Sequence, residues 1–375
     1  MPRPRQQEQS RHSSLWEQAE KAYAESRYAE AARLYSRLTR ALPAWTAEWY
    51  TCQLHRAHCL RLAGAFHQAL RLYRQLGQDN RSRANFSTTD ALVGQALALR
   101  ALGHLSTALA FLQQALQSYR KRRDTEGIIH TLWALGTTLR FAGDFRSAQH
   151  YLQYALQLCK KDHTDALTYL YCALGGLSRM QGAFKRSLTY YLRAHTYAMR
   201  NEDPFGIAYS ACGIANAYRM FQAWELAEHY FSIARLHYEQ IGDRLSYAYT
   251  LWGEAMSSLL QSRWDSAEER LQAAEALFRQ TGDRRGRVYL TLARLQLLAL
   301  HGQAPPAEIH ALLRQALRQS QRHGYRFEAL HLRLLEHLMG VAPIQPLSTL
   351  WHGYRQCGSL WFRRVLTCSL PVNFP

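Results

Sequence analysis

No apolar run in this chain is long enough to cross a membrane. Every long hydrophobic stretch is broken by Arg, Gln or His within a few turns, whereas a spanning helix needs about 20 mostly apolar residues. The apolar core of a signal peptide is missing too, since the chain opens Met1-Pro2-Arg3-Pro4-Arg5-Gln6-Gln7-Glu8-Gln9-Ser10. A cytoplasmic protein is the expectation, with residues 1–11 as a disordered basic lead-in. Carboxylates are scarce: 28 acids stand against 46 bases, a formal net charge of +18. Lysine is scarcer still, with only Lys21, Lys121, Lys160, Lys161 and Lys185. The positive charge is therefore almost all guanidinium, which meets carboxylate and phosphate in a planar, bidentate way that Lys does not. Such a balance attracts acidic partners, nucleic acid or anionic membrane.

Catalytic motifs are missing as well. There is no Gly-x-x-x-x-Gly-Lys phosphate loop, no Gly-x-Ser-x-Gly elbow and no His-Glu-x-x-His pair. Gly175-Gly176 falls inside a helical pattern, which makes it a packing feature. No catalytic residue, cofactor or metal is assigned, and the chain is not expected to be an enzyme. Seven cysteines (Cys52, Cys59, Cys159, Cys172, Cys212, Cys357 and Cys368) are an odd number, mostly within helical patterns. They read as reduced thiols. Cys52, His55 and Cys59 share one helix face, with His58 beside them. A zinc site would want a second dyad on another element; none is evident, so these read as half-buried helix residues.

What the sequence has is a repeat. A small residue is followed by an aromatic, Ala three later, a bulky residue four later and a small one three later. Gly143, Phe145, Ala148, Leu152 and Ala155 show the frame in full. The aromatic position falls at Tyr28, Phe66, Leu105 (aliphatic here), Phe145, Phe184, Trp224 and Trp264, in steps of 38, 39, 40, 39, 40 and 40 residues. Upstream of each lies a partner helix with its own small residue: Ala57, Ala96, Gly136, Gly175, Ala215 and Ala255. Small residues let two helices approach, and the aromatics Phe66, Phe145, Phe184, Trp224 and Trp264 are expected in the core. Asp124, Asp203, Asp243 and Asp283 sit in linkers with turn and cap chemistry.

This frame resembles the tetratricopeptide repeat family over roughly residues 12–300. The unit is longer than the family's standard of about 34 residues, like the long-unit arrays of kinesin light chains and of the sensor arms of some bacterial transcription activators. The resemblance implies an all-α, right-handed solenoid of seven to eight antiparallel hairpins. Its concave groove would be lined by first helices and would hold peptides or protein segments. Repeats are expected at about 12–45, 50–79, 89–120, 126–160, 165–200, 205–240, 245–280 and 286–320. A capping segment is expected at 325–364, because the last hairpin would otherwise expose its apolar face. An irregular tail follows at 365–375.

In the family's register, one position near the end of the first helix reads Arg61, Arg100, Arg140, Arg179 and Arg219, in steps of 39, 40, 39 and 40. These form a ladder of guanidiniums along the groove. A second position gives Asp90, His130, Tyr169, Tyr209, Tyr249 and Tyr289, with Trp133, Asn216 and Trp252 between. Arg for carboxylates, Asn for backbone amides and aromatics for side chains suit an extended peptide. The plainer reading makes Arg a hairpin-stabilising residue whose stem covers the turn. The preferred function is a non-catalytic scaffold or adaptor holding a partner protein or acidic peptide. One alternative is binding of RNA or single strands by the basic C-terminal third, where twelve Arg face three acids between Arg284 and Arg364. Another is a peptide-sensing regulator acting on a partner. Membrane contact through Trp351, Tyr354, Trp361, Phe362, Arg363 and Arg364 is set below a capping role for that segment. A homodimer through an uncovered end stays open.

Overall fold

The computed structural model describes residues 4–78, 88–159, 164–302, 305–341, 346–364 and 369–375. Among them are eighteen α-helices and one 3-10 turn, with no strand. Consecutive helices pair as hairpins: α1 (Pro4–Ala24) with α2 (Tyr28–Ala41), α3 (Ala47–Leu62) with α4 (Phe66–Gln78), and α5 (Thr89–Ala101) with α6 (Leu105–Arg122). Next come α7 (Thr125–Ala142) with α8 (Phe145–Leu158), α9 (Thr164–Met180) with α10 (Phe184–Arg200), and α11 (Pro204–Met220) with α12 (Trp224–Ile241). Then follow α13 (Arg244–Leu260) with α14 (Trp264–Thr281) and α15 (Arg284–His301) with α16 (Pro306–Arg322). A shorter pair, α17 (Arg326–Leu338) and α18 (Leu347–Cys357), and a 3-10 turn at Trp361–Arg364 complete the chain. The molecule is a helical solenoid. Helix α1 begins at Pro4, inside the stretch expected to be disordered; Pro suits the first helical position, and Arg, Gln and Glu propagate a helix well. Lys160, Lys161 and Cys368 lie outside the described residues.

The repeat frame maps directly onto the hairpins. Each of the seven aromatic-or-Leu positions is the first residue of a second helix. The positions three, seven and ten residues on are fully buried, as at Ala108, Leu112 and Ala115 or Ala267, Leu271 and Ala274. The bulky residue of each hairpin seats on the first helix of the next. A Cβ on Gly94 would lie 2.2 Å from the Tyr73 ring, one on Gly213 2.0 Å from Tyr191, and one on Gly253 2.7 Å from Phe231. Where the knob shrinks to Leu112, Leu152 or Leu271, the same register holds Ala134, Ala173 or Ala293, all buried. In these six pairs a ring meets Gly and Leu meets Ala, as close packing favours, while in the first hairpin Tyr35 stands in the same register with Ala57. Burying each such knob contributes about 1.5–3 kcal/mol.

Linker aspartates set where first helices start. Asp124, Asp203 and Asp243 accept from the backbone N–H of Gly127, Gly206 and Ser246, each at 2.9 Å, and Asp283 accepts from Gly286. Each satisfies an orphan donor of the first turn and favours the positive end of the helix dipole.

The solenoid winds so tightly that its C-terminal third lies over the turns inside hairpins two to five. A Cβ on Gly64 would sit 3.2 Å from Thr281, one on Gly103 2.9 Å from His323 and Tyr325, one on Gly143 3.1 Å from Arg326, and one on Gly182 2.8 Å from the Trp361 backbone. Ser359 Oγ donates to the Met180 carbonyl at 2.6 Å, and the Leu360 N–H to the Gln181 carbonyl at 3.1 Å. The Phe145 and Phe327 rings meet edge to face at 4.8 Å. Under this cover Phe66, Phe145 and Phe184 are buried. Trp224 and Trp264, expected to be core, are only half-buried.

Candidate functional site

The concave faces line a central cavity of about 820 Å³, partly open to solvent, with lining residues from all eight long hairpins. That volume falls within the roughly 300–1,000 Å³ typical of ligand pockets. Arg61, Arg100, Arg140 and Arg179 all line it. Each is in the last turn of its first helix, where the helix dipole favours a cation.

Among the described residues, none of these four forms an ion pair. Arg100 Nη1 donates to Thr137 Oγ1 at 2.6 Å, and its guanidinium lies 5.8 Å from the centre of the Trp133 ring. Arg140 packs onto the helix of the next hairpin, where a Cβ on Gly176 would be 2.0 Å from its Nη1. The Nε atoms of Arg61, Arg140 and Arg179 and the Nε1 of Trp133 are buried with no hydrogen-bond acceptor. Burial, with Arg61 and Arg140 nearby, holds the Arg100 pKa down to about 9. Glu126, Asp243 and Asp283 line the same cavity but pair with none of the four among the described residues, so an anionic group brought to these clustered cations would relieve their mutual repulsion.

The fifth ladder residue is elsewhere. Arg219 is fully buried and is held by the chain's own last residues. Its Nη2 donates to the Phe374 carbonyl at 2.9 Å and its Nη1 to Asn373 Oδ1, while Asn373 Nδ2 donates back to the Arg219 carbonyl at 3.0 Å. Asn216 accepts from its Nε at 3.3 Å, and Trp252 lies beneath it at 5.4 Å. Arg219 was expected to face the groove; a segment 154 residues away in sequence covers it instead. Residues 371–375 have no regular structure but are packed in, with Val372 and Phe374 buried and the Phe374 ring 4.5 Å from His331.

The aromatic row divides in the same way. Tyr169 and Tyr249 donate to the capping carboxylates Asp203 at 2.8 Å and Asp283 at 2.9 Å, so their hydroxyls tie one repeat to the next. Tyr209 lines the cavity and tilts against Phe205 at 5.8 Å. His130 stacks on Trp133 at 5.7 Å, and burial, with Arg61 nearby, holds its pKa down to about 4. Trp252 and Asn216 also border the cavity but are buried, with Trp252 Nε1 donating to the Tyr289 carbonyl at 2.9 Å.

Other lining residues were not anticipated. Tyr23 lies in the last turn of α1, Phe205 in the first turn of α11, and Tyr28 is the first hairpin's motif aromatic, all off the two register positions followed along the first helices. Arg285, in the first turn of α15 and outside the ladder's register, pairs with Glu328 at 2.5 Å in a buried contact. Of the Cys52–Cys59 cluster read as half-buried helix residues, Cys52 and Cys59 are buried, and burial pushes their thiols up to about 11 and about 12. His55 and His58 are bonded to the hydroxyls of Tyr35 at 3.1 Å and Tyr73 at 2.7 Å. In the basic C-terminal third, Tyr354, Trp361 and Phe362 are buried, and Trp351 stacks on Phe362 at 6.0 Å.

Residues 87–161 match the family model of the tetratricopeptide repeat. That segment spans the third and fourth hairpins, and hairpins of the same frame recur along the solenoid. No curated protein matches its sequence. It is similar in structure to a Rap protein complexed with competence and sporulation factor, at 14% identity and a TM-score of 0.60, covering 92% of this chain and 99% of that one. It is also similar to the Rap conjugation gene regulator of the plasmid pLS20 in complex with the Phr* peptide, at 14% identity and a TM-score of 0.58, covering 85% and 98%. At that identity the likeness concerns the fold.

Proposed function

We propose that the protein is a non-catalytic binding protein of the cytoplasm whose central cavity holds an acidic peptide or an acidic segment of a partner protein. The carrying observation is the set Arg61, Arg100, Arg140 and Arg179, four guanidiniums lining one cavity with no carboxylate partner among the described residues. A carboxylate delivered to them gains charge-assisted hydrogen bonds without competing for an existing ion pair. The fold agrees with this reading, since the two similar structures were solved with competence and sporulation factor and with the Phr* peptide.

The test is calorimetric titration of an array of short Asp- and Glu-rich peptides into the wild type and an Arg140→Ala, Arg179→Ala double variant. Charge-assisted hydrogen bonds contribute about 1.5–3 kcal/mol each, so the double variant is expected to bind at least about tenfold more weakly. Equal binding by both proteins sinks the reading. So does failure of every peptide in a preparation that instead retains nuclease-sensitive nucleic acid.

A further inference from the structure

The arginine ladder contains one rung already filled by peptide, at Arg219. There the protein shows what it does with an extended segment. The carboxamide of Asn373 bridges the guanidinium and the main-chain carbonyl of the same arginine, the next carbonyl, of Phe374, takes a second guanidinium N–H, and Trp252 supports the cation from the following hairpin.

The arginine–tryptophan part of this arrangement recurs three hairpins earlier, with Leu97 in the place of Asn216 and Arg100 Nη1 donating to Thr137 Oγ1. Arg100 precedes Trp133 by the spacing that separates Arg219 from Trp252. The guanidinium-to-ring distances are 5.8 and 5.4 Å. Both arginines end a first helix, and their carbonyls accept the N–H three residues on, from Gly103 and Gln222, each at 3.0 Å. The two rungs differ in what surrounds them. Arg219 is enclosed by the C-terminal segment, whereas Arg100 and Trp133 line the cavity, and Trp133 Nε1 is buried without an acceptor.

We propose that Arg100 and Trp133 form the cavity's peptide-reading rung, and that the ligand is a peptide presenting an Asn or Gln carboxamide followed by a main-chain carbonyl, as Asn373 and Phe374 do at Arg219. This rests on the reading of the cavity as a peptide site. It adds that recognition at this rung is through carboxamide and backbone, while carboxylates belong to Arg140 and Arg179. The Trp133 N–H supplies one further donor to a ligand carbonyl.

The probe is a synthetic Ser-Leu-Pro-Val-Asn-Phe-Pro peptide, acetylated and amidated so that no terminal charge contributes. Calorimetry and tryptophan fluorescence compare it with a probe whose Asn is replaced by Leu. The wild type is expected to bind the first, with at least about tenfold loss for the Leu probe and for Arg100→Met, from the worth of charge-assisted hydrogen bonds. Trp133→Phe keeps the ring and removes only the N–H; an approximately three- to tenfold loss is expected, and thermal melts check that each variant folds. Asn373→Ala, which loosens the chain's own segment, should leave probe affinity unchanged. The proposal is overturned if the wild type does not bind the probe, if the Leu probe binds equally, or if Arg100→Met has no effect. It is also overturned if Asn373→Ala alone strengthens binding, because the probe would then merely exchange with the native segment. An acidic peptide that binds while this probe neither binds nor competes leaves the cavity reading standing and removes this one.

Discussion

The turns inside hairpins two to five and those inside hairpins six and seven adopt the same backbone but differ in residue. Gly64, Gly103, Gly143 and Gly182 have φ of 80, 81, 77 and 82°, whereas Gln222 and Ser262 occupy the position at 59 and 58°. Conformation alone does not demand Gly, since Gln and Ser tolerate it at modest cost. The glycines coincide with the turns that the C-terminal third covers, where a Cβ would come within 3.2 Å of the overlying chain. At Gln222 and Ser262 the side chains are exposed. Glycine here marks chain crossing over chain, with the turn itself as only half the reason.

The sharpest way to break this contrast is Gly182→Ala. Its Cβ would meet the Trp361 backbone N and Cα at 2.8 Å, and backbone cannot swing aside as a side chain does. Combined with left-handed strain, the expected loss is about 2–4 kcal/mol, read from denaturant melts. An unchanged melt would mean that the covering segment does not rest there.

Acid should act on the covered region next. His331 is fully buried against Phe327, Tyr354, Trp361 and Phe374, and burial, followed by Arg285, holds its pKa well below 6.5. The unfolded chain therefore binds this proton first. Stability from this group is present above pH 6.5 and falls as pH drops toward the folded pKa. Protection factors from hydrogen exchange, corrected for its intrinsic pH dependence, are expected to fall in α17 and α18 between pH 7.5 and 5, with little change in α13 and α14. A uniform fall would contradict a local origin.

The smallest effect belongs to the uncovered turns. Gln222→Gly and Ser262→Gly relieve left-handed strain but loosen the unfolded chain, so each should shift stability by less than about 1 kcal/mol. A loss as large as that of Gly182→Ala would erase the distinction between the regions.

Much of this architecture is legible in the sequence. The spacing of Tyr28, Phe66, Phe145, Phe184, Trp224 and Trp264 marks the start of each second helix, and the linker aspartates mark first-helix starts. Even the pairing of Tyr73 with Gly94, Tyr191 with Gly213 and Phe231 with Gly253 could have been read, as a ring set against Gly along a fixed register. Four ladder arginines were brought into one cavity as their spacing implied. Arg219 could not be separated from them by register, because its position is identical and only a distant segment distinguishes it. The roles of Tyr169 and Tyr249 were likewise hidden, since a hydroxyl facing the concave side looks the same whether it meets a ligand or the next repeat's aspartate.

The sequence by itself determined the repeating unit, its helix boundaries and the face that carries positive charge, because these follow from contacts within a hairpin or between adjacent ones. Only the tertiary structure decided how tightly the units wind. Small rotations between neighbouring hairpins add up over eight of them, and that sum curls the groove around a partly open cavity, lays the C-terminal third over Gly64 to Gly182 and carries Asn373 and Phe374 onto Arg219.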